Sequence, residues 1–298
     1  SSALMTNIPQ STHVLSPDTQ ATLLLCGTFS AGGGADRPLS TEQYNEFAEW
    51  LMSVRLRPGN LLTEEGVSRL EGDLASVPYG ELVKRLLTRG AALALALESW
   101  TSRGLWVIGR ADPDYPRRLR VRLGRRAAPI LYGAGNRGLL AEGGVAVVGS
   151  RDANPAALQV AQQLGESAAR SGLPVVSGAA RGVDEAAMAA ATANGGWAIG
   201  VLASVLSRLA LARRFRDLLT EGTLCLISPY HPSASFSVGG AMGRIADMTA
   251  VQARELNTSK GPAVRAVPMM LLFLIAEAIC HWNDRRRAKS ASKELERA

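Results

Sequence analysis

Apolar and polar positions repeat with two different periods along this chain, and the change falls near its middle. Up to about residue 102 the period is helical. A short apolar run over residues 21–26 ends at Gly27, and a flexible Gly32-Gly33-Gly34 stretch follows. Ser40-Thr41-Glu42-Gln43 has the form of a capping box, with Tyr44, Phe47, Ala48 and Leu51 after it at helical spacing. Further helices are predicted over residues 63–70, 79–88 and 91–102, with Gly or Pro between them. From residue 144 short β-branched runs alternate with helical stretches. Strands are predicted at 145–148, 173–176, 198–202 and 223–227, and helices at 155–171, 184–194 and 211–220. The run at 145–148 is continuous enough to predict a strand buried on both faces. Alternating strand and helix defines an α/β fold, a mostly parallel sheet with flanking helices preceded by a small helical N-terminal region.

This pattern divides the 298 residues into a loose leader (1–20), a helical N-terminal region (21–102), a basic connecting segment (103–143), an α/β core (144–268) and a C-terminal amphipathic basic helix (269–298). An apolar share of 47% against 20% charged residues fits a packed protein rather than a disordered one. The formal charge is +7, and eight arginines against two aspartates in residues 103–126 account for most of it. Arg110, Arg117, Arg118, Arg120 and Arg122 lie in this patch, either a solvated surface or a track for phosphates. The tail at 269–282 is apolar at helical spacing and precedes Arg285-Arg286-Arg287, Lys289 and Lys293. Packing over the sheet is its expected role, with a partner or a membrane surface as alternatives.

Cys26, Cys225 and Cys280 are far apart, and His13, His231 and His281 are scattered. Neither a metal site nor a disulfide framework is expected, and a reducing cytoplasm is the expected location. The longest apolar run, 269–275, is too short to span a bilayer, and the first residues lack the order of a signal peptide.

Two loops leave the carboxyl ends of predicted strands, where open α/β sheets bind ligands. The first is Gly149-Ser150-Arg151: close backbone approach, a hydroxyl and a phosphate-binding fork beside a helix start. The second contains Ser177, Gly178, Arg181, Gly182 and Asp184, with Asp184 read first as the cap of the next helix. Neither has the glycine spacing of a dinucleotide-binding turn.

The runs Val145-Ala146-Val147-Val148-Gly149-Ser150-Arg151 and Val175-Val176-Ser177-Gly178-Ala179-Ala180-Arg181-Gly182-Val183-Asp184 resemble the core signature of the DNA-processing protein A family (DprA, also called Smf). Residues 109–119 and 129–132 resemble the segment that precedes that core. Residues 200–202, 226–230 and 236–244 continue the likeness in order. The resemblance implies a Rossmann-like domain that binds single-stranded DNA, hands it to the RecA recombinase, self-associates as a homodimer and has no catalytic residues or cofactor. It places Gly149, Ser150, Arg151, Ser177, Gly178, Arg181, Gly182 and Asp184 in a positively charged pocket, and matches Arg244 to the start of an Arg-Asn-Arg element. This chain departs from the family at Ala187-Met188, where a histidine is usual, and at Ala203-Ser204. After Arg244 it runs straight into Ile245-Ala246-Asp247. Its C-terminal third thus reads as a family domain with internal deletions, or as a divergent or altered end. The function implied is protection of single-stranded DNA and RecA loading in DNA uptake or recombination. A nucleotide-sensing protein and a decayed homologue are the alternatives. The lack of a Pro-Gly-Gly-x-Gly-Thr run argues against a phosphoribohydrolase.

Overall fold

The structure, a computed structural model, describes residues 15–29, 37–72, 74–202 and 206–233. Arg244 and the tail at 269–298 lie outside them. Ser16 accepts the Thr19 amide and Pro17 supplies the φ of a first helical turn, so α1 (Pro17–Cys26) begins inside the stretch read as a leader. In α2 (Thr41–Ser53) the capping box forms: Ser40 Oγ accepts from Gln43 N, and Gln43 Oε1 from Ser40 N. A 3-10 turn (Pro58–Leu62), α3 (Glu64–Gly72), α4 (Gly80–Leu87) and α5 (Gly90–Thr101) follow, the helices within two residues of their predicted bounds. This unit closes on its own buried cluster, which includes Leu25, Phe47, Leu51, Leu61, Val83 and Leu86.

The second half comprises β1 (Leu105–Gly109), α6 (Arg117–Leu123), β2 (Ile130–Gly135), α7 (Leu139–Glu142), β3 (Val145–Ala146), α8 (Pro155–Arg170), β4 (Val175–Ser177), α9 (Val183–Ala193), β5 (Ala198–Val201), α10 (Leu206–Ala210), α11 (Arg213–Thr220) and β6 (Leu224–Ser228). The six strands lie in the order β1-β2-β6-β5-β4-β3. β3, β4, β5 and β6 are parallel, while β2 is antiparallel to both its neighbours. The α/β reading is therefore correct, and the basic segment at 103–143 contributes two strands to the sheet.

Each crossover from β3 to β6 moves one strand along in the same direction, so right-handed connections put their helices on one face. There Val175, Ala198 and Leu226 pack with Ala161 and Ala168 of α8 and Ala187, Met188 and Ala191 of α9. The other face, with Ile108, Leu131, Val176, Ile199 and Ile227, packs with Leu119 and Leu123 of α6 and Leu139 and Leu140 of α7.

The strand predicted at 145–148 is shorter and less buried than expected. β3 is the outermost strand, and Val148 is 47% exposed. An edge strand has one neighbour, so its far flank has nothing to pack against. The pairing continues only as far as the Val147 amide, which donates to Val176 O at 2.9 Å.

Polar contacts join the helical unit to the sheet. Asp112, buried, accepts from Thr19 Oγ1 at 2.5 Å and from Gly109 N at 2.9 Å. Arg110 donates to Asn45 Oδ1 at 2.7 Å and Ala127 O at 3.0 Å, and Asn45 Nδ2 donates to Arg125 O at 2.6 Å.

Candidate nucleic-acid interface

Because β3 to β6 run parallel, the loops that follow them leave from one edge of the sheet. The loop after β3 carries Gly149, Ser150 and Arg151, and the loop after β4 carries Gly178, Arg181 and Gly182. The fold places them side by side. Asp184 joins them: one carboxyl oxygen accepts from Gly149 N at 3.3 Å and the other from Gly178 N at 3.1 Å. The Val183 amide donates to Ser150 O at 3.2 Å.

Asp184 is not the helix cap it was expected to be. Gly182 occupies the cap position of α9, and Asp184 sits in the first turn, 3% exposed. Its carboxyl group reaches out of the helix to accept from one buried and one half-buried loop amide. Gly182 serves the same junction. Its φ of 94° and ψ of −131° suit only glycine, and a Cβ there would lie 2.3 Å from Ser150 O. A Cβ on Gly149 would lie 2.5 Å from Val183 Cβ. Both glycines thus admit one loop to the other. Ala179, at φ 51°, holds the second loop in a left-handed turn that a non-glycine residue adopts at a cost.

Burial sorts the expected site residues. Arg151 and Arg181 are exposed, and Gly149, Ser150 and Gly182 are half-buried. Ser177, Gly178 and Asp184 are buried beneath them, and the Ser177 hydroxyl is committed to Val147 O at 2.7 Å. Arg181 forms an ion pair with Asp152, and Ser150 Oγ accepts from Asp152 N at 3.1 Å. Sequence reading passed over Asp152; an acidic residue directly after the Gly-Ser-Arg run was the available signal. Both partners of the ion pair are exposed, and such pairs contribute only about 0–1 kcal/mol. An incoming phosphate can therefore take the place of Asp152.

The basic patch is less available than its composition suggested. Arg110 is spent on Asn45, Ala127 and the Tyr44 ring, 5.5 Å away. Arg118 donates to Glu142 O at 3.0 Å and Arg120 to Arg110 O at 3.4 Å. Arg117 and Arg122 are exposed on α6, which lies between β1 and β2 in the chain, whereas the two loops follow β3 and β4.

Among the described residues no group of His, Cys, Asp or Glu is placed to hold a metal ion, and no helix is long and apolar enough to cross a membrane. Burial pushes the thiols of Cys26 and Cys225 well up, which disfavours the thiolate that nucleophilic chemistry needs. The arrangement suits binding of an anion through two guanidinium groups over small-residue loops.

Residues 106–245 match the sequence model of the DNA recombination-mediator protein A family, a span that includes both loops and nearly all of the sheet. Over that span, a little under half of the chain, the sequence follows the pattern of this family. A second match, to Glucose inhibited division protein A, covers residues 236–271, outside the described residues. No curated protein matches the chain. The DNA processing protein A of Streptococcus pneumoniae has a similar fold, with a TM-score of 0.55 at 19% identity over 80% of this chain and 76% of that one. DNA processing protein A of Helicobacter pylori, a protein with a unique single-stranded DNA binding mode, matches over 50% of this chain and 66% of its own. Its identity is 20% and its TM-score 0.39.

Proposed function

We propose that this chain binds single-stranded DNA along the carboxyl edge of its sheet, protects it, and assists loading of the RecA recombinase during DNA uptake or recombination. The observation that carries the reading is the Asp184 carboxyl group, which holds two arginine-bearing loops as one surface in a span that follows the pattern of a recombination-mediator family. Arg151 and Arg181 contact phosphates, with Ser150 and the backbone of Gly149, Gly178 and Gly182 shaping the surface. Ser177 and Asp184 position the loops. Arg117 and Arg122 extend the basic track, and Arg244 adds to the site from beyond the described residues.

Affinity in this reading comes from charge neutralisation and counterion release. Aromatics make up 5% of the chain and none lies in either loop, so base stacking contributes little here and binding ignores sequence. The protein acts by binding, without catalytic turnover or cofactor, in the cytoplasm and as a homodimer. The test is a titration of labelled oligo-dT and of a duplex of equal length, followed by RecA filament nucleation on the same oligonucleotide. Preference for the single strand, with faster RecA nucleation, supports the reading. Equal or absent binding by folded protein overturns it.

A further inference from the structure

At the same edge of the sheet, where β6 runs out and β2 begins, the described residues line a cavity of about 420 Å³ that also meets α1 and α2. That volume lies in the range of roughly 300–1,000 Å³ common to small-molecule sites. Its lining combines the ring-bearing residues Tyr132, Tyr230 and His231 with the hydroxyl residues Thr28 and Thr41 and the cation Arg126.

Three of these side chains have unused binding capacity. Tyr132 is 3% exposed, and its hydroxyl makes no hydrogen bond with any described residue. Its ring is fixed by contacts with Trp100, centroids 5.2 Å apart and nearly perpendicular, and with His231 at 6.5 Å. A buried phenol with no partner among the described residues calls for a reason, and a ligand acceptor supplies one. Arg126, exposed, has neither an ion pair nor a hydrogen bond with any described residue. His231 accepts the Ser233 amide at Nδ1, at 3.2 Å, which leaves the Nε2 proton of the neutral ring as a donor.

We propose that this cavity binds one nucleoside monophosphate unit, with the base against the rings, a base acceptor on the Tyr132 hydroxyl and the phosphate on Arg126. Aromatic side chains, a buried donor and a guanidinium together match a planar group that carries both in-plane acceptors and an anion. Two sources present that chemistry, a free nucleotide and the terminal nucleotide of a strand. β4 and β6 are two strand positions apart, about 10 Å at ordinary sheet spacing. A strand lying on the Arg151 and Arg181 loops therefore passes close to the cavity. The site stands on its own residues and does not require the strand-binding reading.

Calorimetric titration with dAMP, dTMP and deoxyadenosine, on the wild type, Tyr132→Phe and Arg126→Ala, tests the free-nucleotide source. Short oligo-dT with and without a 5′-phosphate tests the strand source. Both substitutions keep the packing: Tyr132→Phe retains the ring and Arg126 is exposed. Mononucleotide binding that weakens about 10-fold or more in each variant, with deoxyadenosine indifferent to Arg126, supports the site with a free nucleotide. A 5′-phosphate preference among oligonucleotides, lost in both variants, supports it with a strand end. The proposal is overturned if mononucleotides fail to bind at about 1 mM and neither variant changes oligonucleotide binding. Mononucleotide binding without oligonucleotide binding sinks the strand reading and leaves this site standing.

Discussion

Asp184 holds two loops with one carboxyl group, so its removal takes an acceptor from a buried and a half-buried loop amide at once. Asp184→Ala should cost about 2–4 kcal/mol in a denaturant melt, and Asp184→Asn, which keeps one acceptor oxygen, about half as much. A loss below about 0.5 kcal/mol for Asp184→Ala contradicts the bridging role. A second residue-scale outcome concerns pH. Burial lowers the pKa of His231 below its ordinary value of 6.5, so the unfolded chain binds its proton first as pH falls. Stability attributable to this residue is present above that value and is lost as pH drops toward the folded pKa. Melting curves between about pH 7 and pH 5 should fall more steeply for the wild type than for His231→Phe. The arginines and glycines of the site were legible in the sequence as small-residue loops at strand ends. The reach of Asp184 was not, because which amide a carboxylate accepts is decided by tertiary packing.

At the scale of elements, local signals were the readable ones. The Ser40–Gln43 box forms as predicted, and Pro155 opens α8 behind the Asn154 cap. β1 and β2 went unread because the arginines around them dominate the pattern and because one partner of β2 is distant: it pairs with β6, about ninety residues later. The run at 145–148 was overread, since a β-branched run looks the same whether its strand is central or at an edge. Val148→Ala should therefore change stability by less than about 0.5 kcal/mol. Val176→Ala, one strand inward and fully buried, should cost about 2 kcal/mol. Equal costs in a urea titration contradict the strand order.

For the whole molecule, helical unit and sheet are joined by polar contacts at Asp112 and Arg110, partners some 65 to 96 residues apart in sequence. Such distant pairs leave no periodic trace, which is why Arg110 was read as part of a phosphate-binding patch. Arg110→Ala should destabilise the fold by about 1–3 kcal/mol, because it strands the Asn45 and Ala127 oxygens. It should leave the salt dependence of DNA binding unchanged. A flatter salt response in Arg110→Ala, as in a phosphate contact, contradicts this assignment.

The central claim is that the two bridged loops bind phosphates together. The most direct measurement is the affinity for oligo-dT across a salt series, for the wild type and for Arg151→Ala combined with Arg181→Ala. Single-strand binding loses about 0.7 in the slope of log affinity against log salt for each phosphate contact removed. The account predicts a slope flatter by about 1.4 in the double variant, with lower affinity at every salt concentration. An unchanged slope in a folded double variant contradicts it.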